Sequence, residues 1–387
     1  MTASRRRPER DTILVAHPSA ELYGSDRVML ETVSALVDDG WRVVVTLPGD
    51  GPLVAELRAR GALVELCPSP VLRKSVLRPA GFVRFLRTSA SATVRGSSLL
   101  RRERPALVFV NTITVPLWAV LARGRRIPTI THVHEGEASA SLLMRRVLAL
   151  PLLLSRTLVV NSRFSQSVLA GSFRTLGARS EVVYNAVPGP QRRAPLRGRI
   201  SGPLRVTYIG RLSPRKGVDV AIDAVAQLRD RGIPADLDVV GSVFPGYEWY
   251  ERSLTETVAE RSLRDRVRFH GFQPSVWEIV GGSDIVVVPS RVDEPFGNTA
   301  VEAILAGRPV IASATSGLLE ATAGYRTATT VRPDDASALA DALADAVDRW
   351  DTTAETITAD TAEAETRHSV AAYRARIAAI VRSFARR

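Results

Sequence analysis

Lysine is nearly absent from this chain: of 52 positive residues among 387, only positions 74 and 216 are lysine. A sequence that writes its positive charge as guanidinium thus keeps one ammonium in the Gly-bounded stretch GRLSPRKG, 210–217. Cysteine is scarcer still. The single Cys67 excludes an internal disulfide framework, fits a reducing compartment, and reads as a small buried hydrophobe. No apolar run reaches the roughly 20 clean residues of a spanning helix. The longest, 106–122 and 147–160, are broken by Asn111, Pro116 and Arg156. The start, MTASRRRPERDT, is basic but lacks the apolar segment of a secretory signal. No Cys/His cluster has ligand spacing, so no metal site is expected. Nor does a Gly-x-Gly-x-x-Gly or a Walker loop follow a strand-like run, which argues against a dehydrogenase or a P-loop enzyme. These absences leave a globular protein, expected in the cytoplasm.

What is present is an alternation of short β-branched runs and amphipathic stretches, the pattern of parallel sheets covered by helices on both faces. TILVAHP (12–18), WRVVVTLP (41–48), ALVFVN (106–111), TITHVHE (129–135), TLVVNS (157–162) and SEVVYNAV (180–187) read as strands, with a helix over 27–40. Residues 188–203 hold four Pro, three Gly and four Arg and read as a linker. The rhythm restarts at LRVTYIGR (204–211) and continues through 235–241, 266–271, 284–290 and 308–313. The expectation is α/β: two doubly wound Rossmann-like domains, 1–187 and 204–368, facing a cleft at the carboxyl ends of their strands. A last amphipathic helix, 369–387, is expected to return to the first domain. Charge divides the same way. Residues 1–187 carry 26 Arg/Lys against 14 Asp/Glu, the whole excess of +12, concentrated in 73–104. Such asymmetry suggests an anionic partner, or else solvated helix faces in an arginine-rich chain. Nucleic acid is disfavoured, because no recognition motif or interleaved aromatic accompanies the charge.

Two constellations carry chemistry. In GRLSPRKG, Arg211 and Lys216 stand between Gly210 and Gly217 after a strand, as a diphosphate requires: a fork for phosphate oxygens and a slim point charge. In EPFGNTAVE, Glu294 and Glu302 stand eight apart with Phe296, Gly297, Asn298 and Thr299 between them, where a loop opens into a helix.

Together, GRLSPRKGVD and EPFGNTAVEAILAGRPVIAS resemble the retaining glycosyltransferases of the GT-B fold, family 4, the "glycosyl transferases group 1". The resemblance implies metal-free transfer of a sugar from a nucleoside-diphosphate sugar, UDP- or GDP-linked, with no cofactor beyond that substrate. It implies that Arg211 and Lys216 hold the diphosphate and that Glu294 binds donor-sugar hydroxyls. Phe296 to Thr299 would line sugar and phosphates, and Glu302 would hold the ribose. VVGS and FHGF, with Gly241 and Phe272, resemble nucleoside-contacting turns. In the first half, Gly24 with Ser25 and Asp26 stands where the family has an acceptor-side glycine pair, and Ser25 and Asp26 alternatively cap the helix from 27. His134, followed by Glu135, resembles the family's histidine near the reacting sugar, and His132 shares its strand face. SGLLEATAGYRT lacks the paired glycine usual before Glu320. The acceptor expected is a glycan or lipid-linked molecule, with the basic first domain reaching an anionic membrane surface. A sugar-nucleotide epimerase and a non-catalytic nucleotide-sugar sensor are the rival readings.

Overall fold

The structure is a computed structural model that describes residues 11–72, 79–136, 138–244 and 246–385. The chain folds into two compact units: Met1–Ala186 together with Val370–Arg387, and Val187–Ser369. The first is built on a seven-stranded parallel sheet: β1 (Thr12–Ala16), β2 (Arg42–Leu47), β3 (Leu63–Leu66), β4 (Leu107–Val110), β5 (Thr129–Val133), β6 (Thr157–Val160) and β7 (Ser180–Val182). Its spatial order is β3-β2-β1-β4-β5-β6-β7. The second holds six parallel strands: β8 (Leu204–Ile209), β9 (Ala235–Val240), β10 (Val267–Gly271), β11 (Ile285–Val288), β12 (Val310–Ser313) and β13 (Ala328–Val331), in the order β10-β9-β8-β11-β12-β13. Both are doubly wound Rossmann-like sheets flanked by helices. Strand order reverses between β1 and β4 in one and between β8 and β11 in the other, and ligands bind at such switch points.

The central strands are buried on both faces, which is why β1 and β11 read as apolar runs, ILVA after Thr12 and IVVV. The edge strands β3 and β13 are four residues long and escape periodicity. The terminal helix Val370–Ala385 packs Tyr373, Ile377, Ile380 and Val381 into the first unit's core, each apolar side chain worth about 1.5–3 kcal/mol when fully buried. Tyr373 Oη lies 2.6 Å from Thr32 Oγ1, and Arg374 donates twice to Glu31 (2.6 and 2.8 Å).

Two expectations need correcting. Residues 188–203, read as a linker, fold with the second unit: Leu196 and Ile200 pack on its core, Arg197 pairs with Asp284, and Trp350 Nε1 donates to Arg197 O at 2.8 Å. Pro and Gly prevent regular structure there, but backbone carbonyls and the guanidinium groups of Arg193 and Arg197 still tie the segment down. The first helix begins at Gly24 rather than 27 and runs to Asp38. Ser25 and Asp26 therefore lie in its first turn, with Tyr23 at the N-cap; the Asp26 carboxylate accepts the Tyr23 N–H at 2.8 Å.

Candidate active site

In the second unit, the turn after β8 and the loop after β11 meet at the switch point. The ammonium of Lys216 lies 2.7 Å from Glu294 Oε1, which also accepts from Ser290 Oγ at 2.8 Å. Glu294 is buried, whereas the Lys216 side chain is 30% exposed. Burial opposes ionisation of Glu294, but the charges of Lys216 and Arg215, aided by hydrogen bonds from Lys216 and Ser290, outweigh it and hold the carboxyl below its ordinary range. A second ion pair fixes the two loops in register. Arg291 forks onto Asp219 (2.7 and 2.9 Å), its N–H donates to Arg215 O (2.9 Å), and its guanidinium reaches Pro214 O (3.2 Å). Arg215 donates in return to Asp293 O at 2.6 Å. Gly217 completes the turn at φ 68°, where a Cβ would collide with Pro289 O, so only glycine allows the approach.

The remaining predicted donor-site residues are distributed as follows. Arg211 lays its guanidinium 3.3 Å from the centroid of the Phe244 ring, so the two cations of the motif have different partners. Most backbone N–H groups of GRLSPRKG are engaged within the unit. Gly210, Leu212, Lys216 and Gly217 donate to Val240, Ser242, Ser213 and Pro214, because the turn closes on itself and on the loop after β9. Gly241 donates to Gly271 at the end of β10, and Phe272 beyond it is exposed. The helix Asn298–Leu305 starts after Gly297, which is left-handed; Asn298, Thr299 and Glu302 are partly buried and Phe296 is fully so, its ring 5.5 Å from that of His368. In SGLLE, Gly317 packs directly on the loop holding Glu294: its N–H donates to Glu294 O at 3.0 Å, and a Cβ would stand 2.6 Å from Phe296 N. Asp236-Leu237-Asp238 on β9 is an acidic pair of the metal-binding sort, yet its carboxylates are held by Arg266, Arg268 and His270. Among the described residues no group of three or more potential metal ligands occurs.

In the first unit, β1, β4 and β5 end in polar residues that touch one another. Asp26 Oδ1 is 2.7 Å from His17 Nε2, His17 Nδ1 is 3.1 Å from Asn111 Nδ2, and Asn111 Oδ1 is 3.2 Å from His134 Nε2. Asp26, His17 and Asn111 are buried, while Gly24 and Ser25 are exposed. Burial first, then the neighbouring His17, push the His134 imidazole down to about 3 against the opposing charge of Asp26. Its backbone N–H donates to Glu135 (3.0 Å), whose carboxylate also takes the Thr112 hydroxyl. The His132 ring lies 3.9 Å from that of His134, on the same strand face as expected.

Sequence reasoning passed over His17, Asn111, Ser290, Arg291 and Gly317. A signal existed for three: each is a polar residue where a buried apolar strand stops, in ILVAH, VFVN and VVVPS. Arg291 and Gly317 act through backbone approach, which spacing does not reveal.

Residues 197–362 match the family described as "Glycosyl transferases group 1", and residues 23–188 match "Glycosyltransferase Family 4". The chain is 28% identical over 260 residues to a glycogen synthase of Mycobacterium tuberculosis, covering 64% of this chain and 61% of that protein. It is 40% identical over 144 residues to a D-inositol 3-phosphate glycosyltransferase of Corynebacterium jeikeium, covering 36% of this chain and 34% of that one. These alignments therefore span about three-fifths and one-third of the two relatives. The crystal structure of Anabaena HepE in complex with UDP-glucose superposes with a TM-score of 0.80 at 22% identity, over 96% of this chain and 99% of that one. The sheet orders and this likeness give the same fold, and with its halves matched in turn the chain belongs to the group 1 glycosyltransferases, family 4.

Proposed function

We propose that the protein transfers a sugar from a nucleoside-diphosphate sugar to a glycan or lipid-linked acceptor, with retention of configuration and without a metal. The observation that carries the reading is the Lys216–Glu294–Ser290 cluster at the β8/β11 switch point. A paired ammonium and carboxylate suit a substrate with an anionic and a hydroxyl-rich end. Lys216 and Arg211 take the diphosphate, Glu294 takes sugar hydroxyls, Phe296 to Thr299 line sugar and phosphates, and Glu302 takes the ribose. That HepE was crystallised with UDP-glucose supports a nucleotide-sugar donor. Glu294, held by Lys216 and Ser290, acts in binding rather than as nucleophile. In this reading the acceptor attacks from the face the diphosphate leaves. The departing oxygen takes the acceptor's proton, and cations matched to the growing charge lower the barrier. Incubation with a panel of UDP- and GDP-sugars tests this: free nucleoside diphosphate and a product of unchanged anomeric configuration are expected, with or without EDTA. Sugar interconversion without nucleotide release would make it an epimerase, and binding alone a sensor.

An anionic membrane surface is the second partner we propose. Arg73, Lys74 and Arg78 of the basic stretch, and the side chains of Phe82, Arg84 and Leu86, lie outside the described residues. What supports the reading is another exposed feature of the first unit. Leu143, Val147, Leu150 and Leu154, spaced for one helical face over Leu142–Leu154, are exposed at 74, 57, 57 and 37%, with Arg146 exposed among them. Apolar side chains beside arginine suit an interface of acyl chains and anionic headgroups. No helix among the described residues is long and apolar enough to cross a membrane.

A further inference from the structure

The chain Asp26–His17–Asn111–His134 has a direction, and chemistry dictates it from one end. Ionised Asp26 can only accept. It takes the Ser19 hydroxyl (3.0 Å), the Tyr23 N–H (2.8 Å) and His17 Nε2 (2.7 Å), so His17 carries its proton on Nε2. The Nδ1 of a neutral His17 is then a lone pair, and it receives the Asn111 amide N–H at 3.1 Å. With the amide so oriented, Asn111 Oδ1 faces His134 Nε2 at 3.2 Å and can only accept, so His134 bears its proton on Nε2. A neutral His134 therefore ends the series with an unprotonated Nδ1. Three features defend that state. Burial disfavours the imidazolium. Glu135 is engaged by the His134 N–H, the Thr112 hydroxyl and the Ile113 N–H rather than by the His134 ring. The fully buried His132 ring packs 3.9 Å from His134 and offers it no counter-charge.

We propose that Asp26, His17 and Asn111 are positioning residues that lock His134 as the Nε2–H tautomer, so that its Nδ1 accepts a hydrogen bond from a substrate hydroxyl at the carboxyl end of β5. The site is thereby selective for a donor group. It welcomes a sugar or polyol hydroxyl and turns away a carbonyl or phosphate oxygen, which brings no proton. The role deepens the glycosyltransferase reading and rests on it for the identity of the hydroxyl. The tautomer itself does not depend on that reading.

The test separates the two. Long-range 15N–1H spectra of imidazole-labelled protein assign the His134 tautomer without substrate. Nε2–H with a bare Nδ1 is expected throughout the neutral range; a protonated Nδ1 or an imidazolium there would overturn the relay, whatever the enzyme transfers. His17→Ala should mix the tautomers and lower kcat/KM roughly tenfold to a hundredfold, as loss of an orienting partner of a functional histidine does. Affinity for free UDP or GDP, bound in the other unit, should be unchanged. His17→Gln, whose amide can donate to Asp26 and accept from Asn111, should restore both the tautomer and most of the rate, and it serves if the alanine variant fails to fold. Unaltered spectra and rate in His17→Ala would also overturn the proposal. The expected tautomer in a protein that turns over no sugar nucleotide would leave the relay standing and remove the glycosyltransferase reading.

Discussion

Lys216 Nζ and Glu294 Oε1 lie 2.7 Å apart, so the lysine of GRLSPRKG is held by a buried carboxylate. The pair suits the one ammonium that stands here among 50 arginines: a compact point charge meets a single carboxylate oxygen.

Replacing Lys216 by alanine should lower turnover about a hundredfold, the roughly 3 kcal/mol typical of a lost transition-state partner. Lys216→Arg should also be impaired, because a planar fork cannot occupy the same space. Release of nucleoside diphosphate measures both, with circular dichroism to verify folding. An arginine variant at full activity would contradict the assignment.

The same pair makes a pH-dependent contribution to stability. Glu294 titrates lower in the folded chain than the ordinary value of about 4.3 it has when unfolded. Its stabilisation is thus present above that pH and lost as pH falls through the folded value. Thermal melts of wild type and Glu294→Gln should differ most near neutrality and converge as pH drops from about 5 to 3. A gap that stays constant across this range would show that Glu294 is not held ionised by Lys216.

Arg291 and Asp219 bind the turn after β8 to the loop after β11 with a two-pronged contact, each side chain about a quarter exposed. A double-mutant cycle with Arg291→Ala and Asp219→Ala should give a coupling of about 1 kcal/mol, reduced from a buried charged pair by solvent screening. The single variants should raise the KM for donor more than they lower kcat. Additive effects on stability would mean that the two loops keep their register without the pair.

For the membrane, vesicles containing anionic lipid should carry the protein upward in flotation, and salt should weaken the binding. Leu143→Glu with Val147→Glu and Leu150→Glu should abolish it while thermal stability changes little, since all three side chains project into solvent. Indifference of the wild type to anionic vesicles would leave a soluble acceptor.

The strands, the two doubly wound domains and the turn and helix start of GRLSPRKG and EPFGNTAVE were legible because they repeat local rules: β-branched runs, Gly-bounded turns, acids at a helix start. Other features were not. Residues 188–203 have the composition of a linker, and the residues that bind them to the second unit, Asp284, Arg308, Trp350 and Glu365, are distant in sequence. SGLLE carries a single glycine, and its spacing does not reveal that Gly317 makes the close approach to Glu294 and Phe296. His17 and Asn111 are single polar residues at strand ends, and their meaning lies in contact across 94 positions.

The last helix leaves one architectural consequence. Val187 N–H donates to His368 O at 3.4 Å, so the chain enters and leaves the second unit at adjoining points, and Val370–Ala385 then completes the first core. In sequence, the second unit is a cassette inserted between the two segments of the first. Joining residue 186 to 370 through a short connector should yield a free-standing first unit, and the excised cassette should keep both of its loops. Recombination at these two seams should exchange either unit for a counterpart without breaking a hydrophobic core.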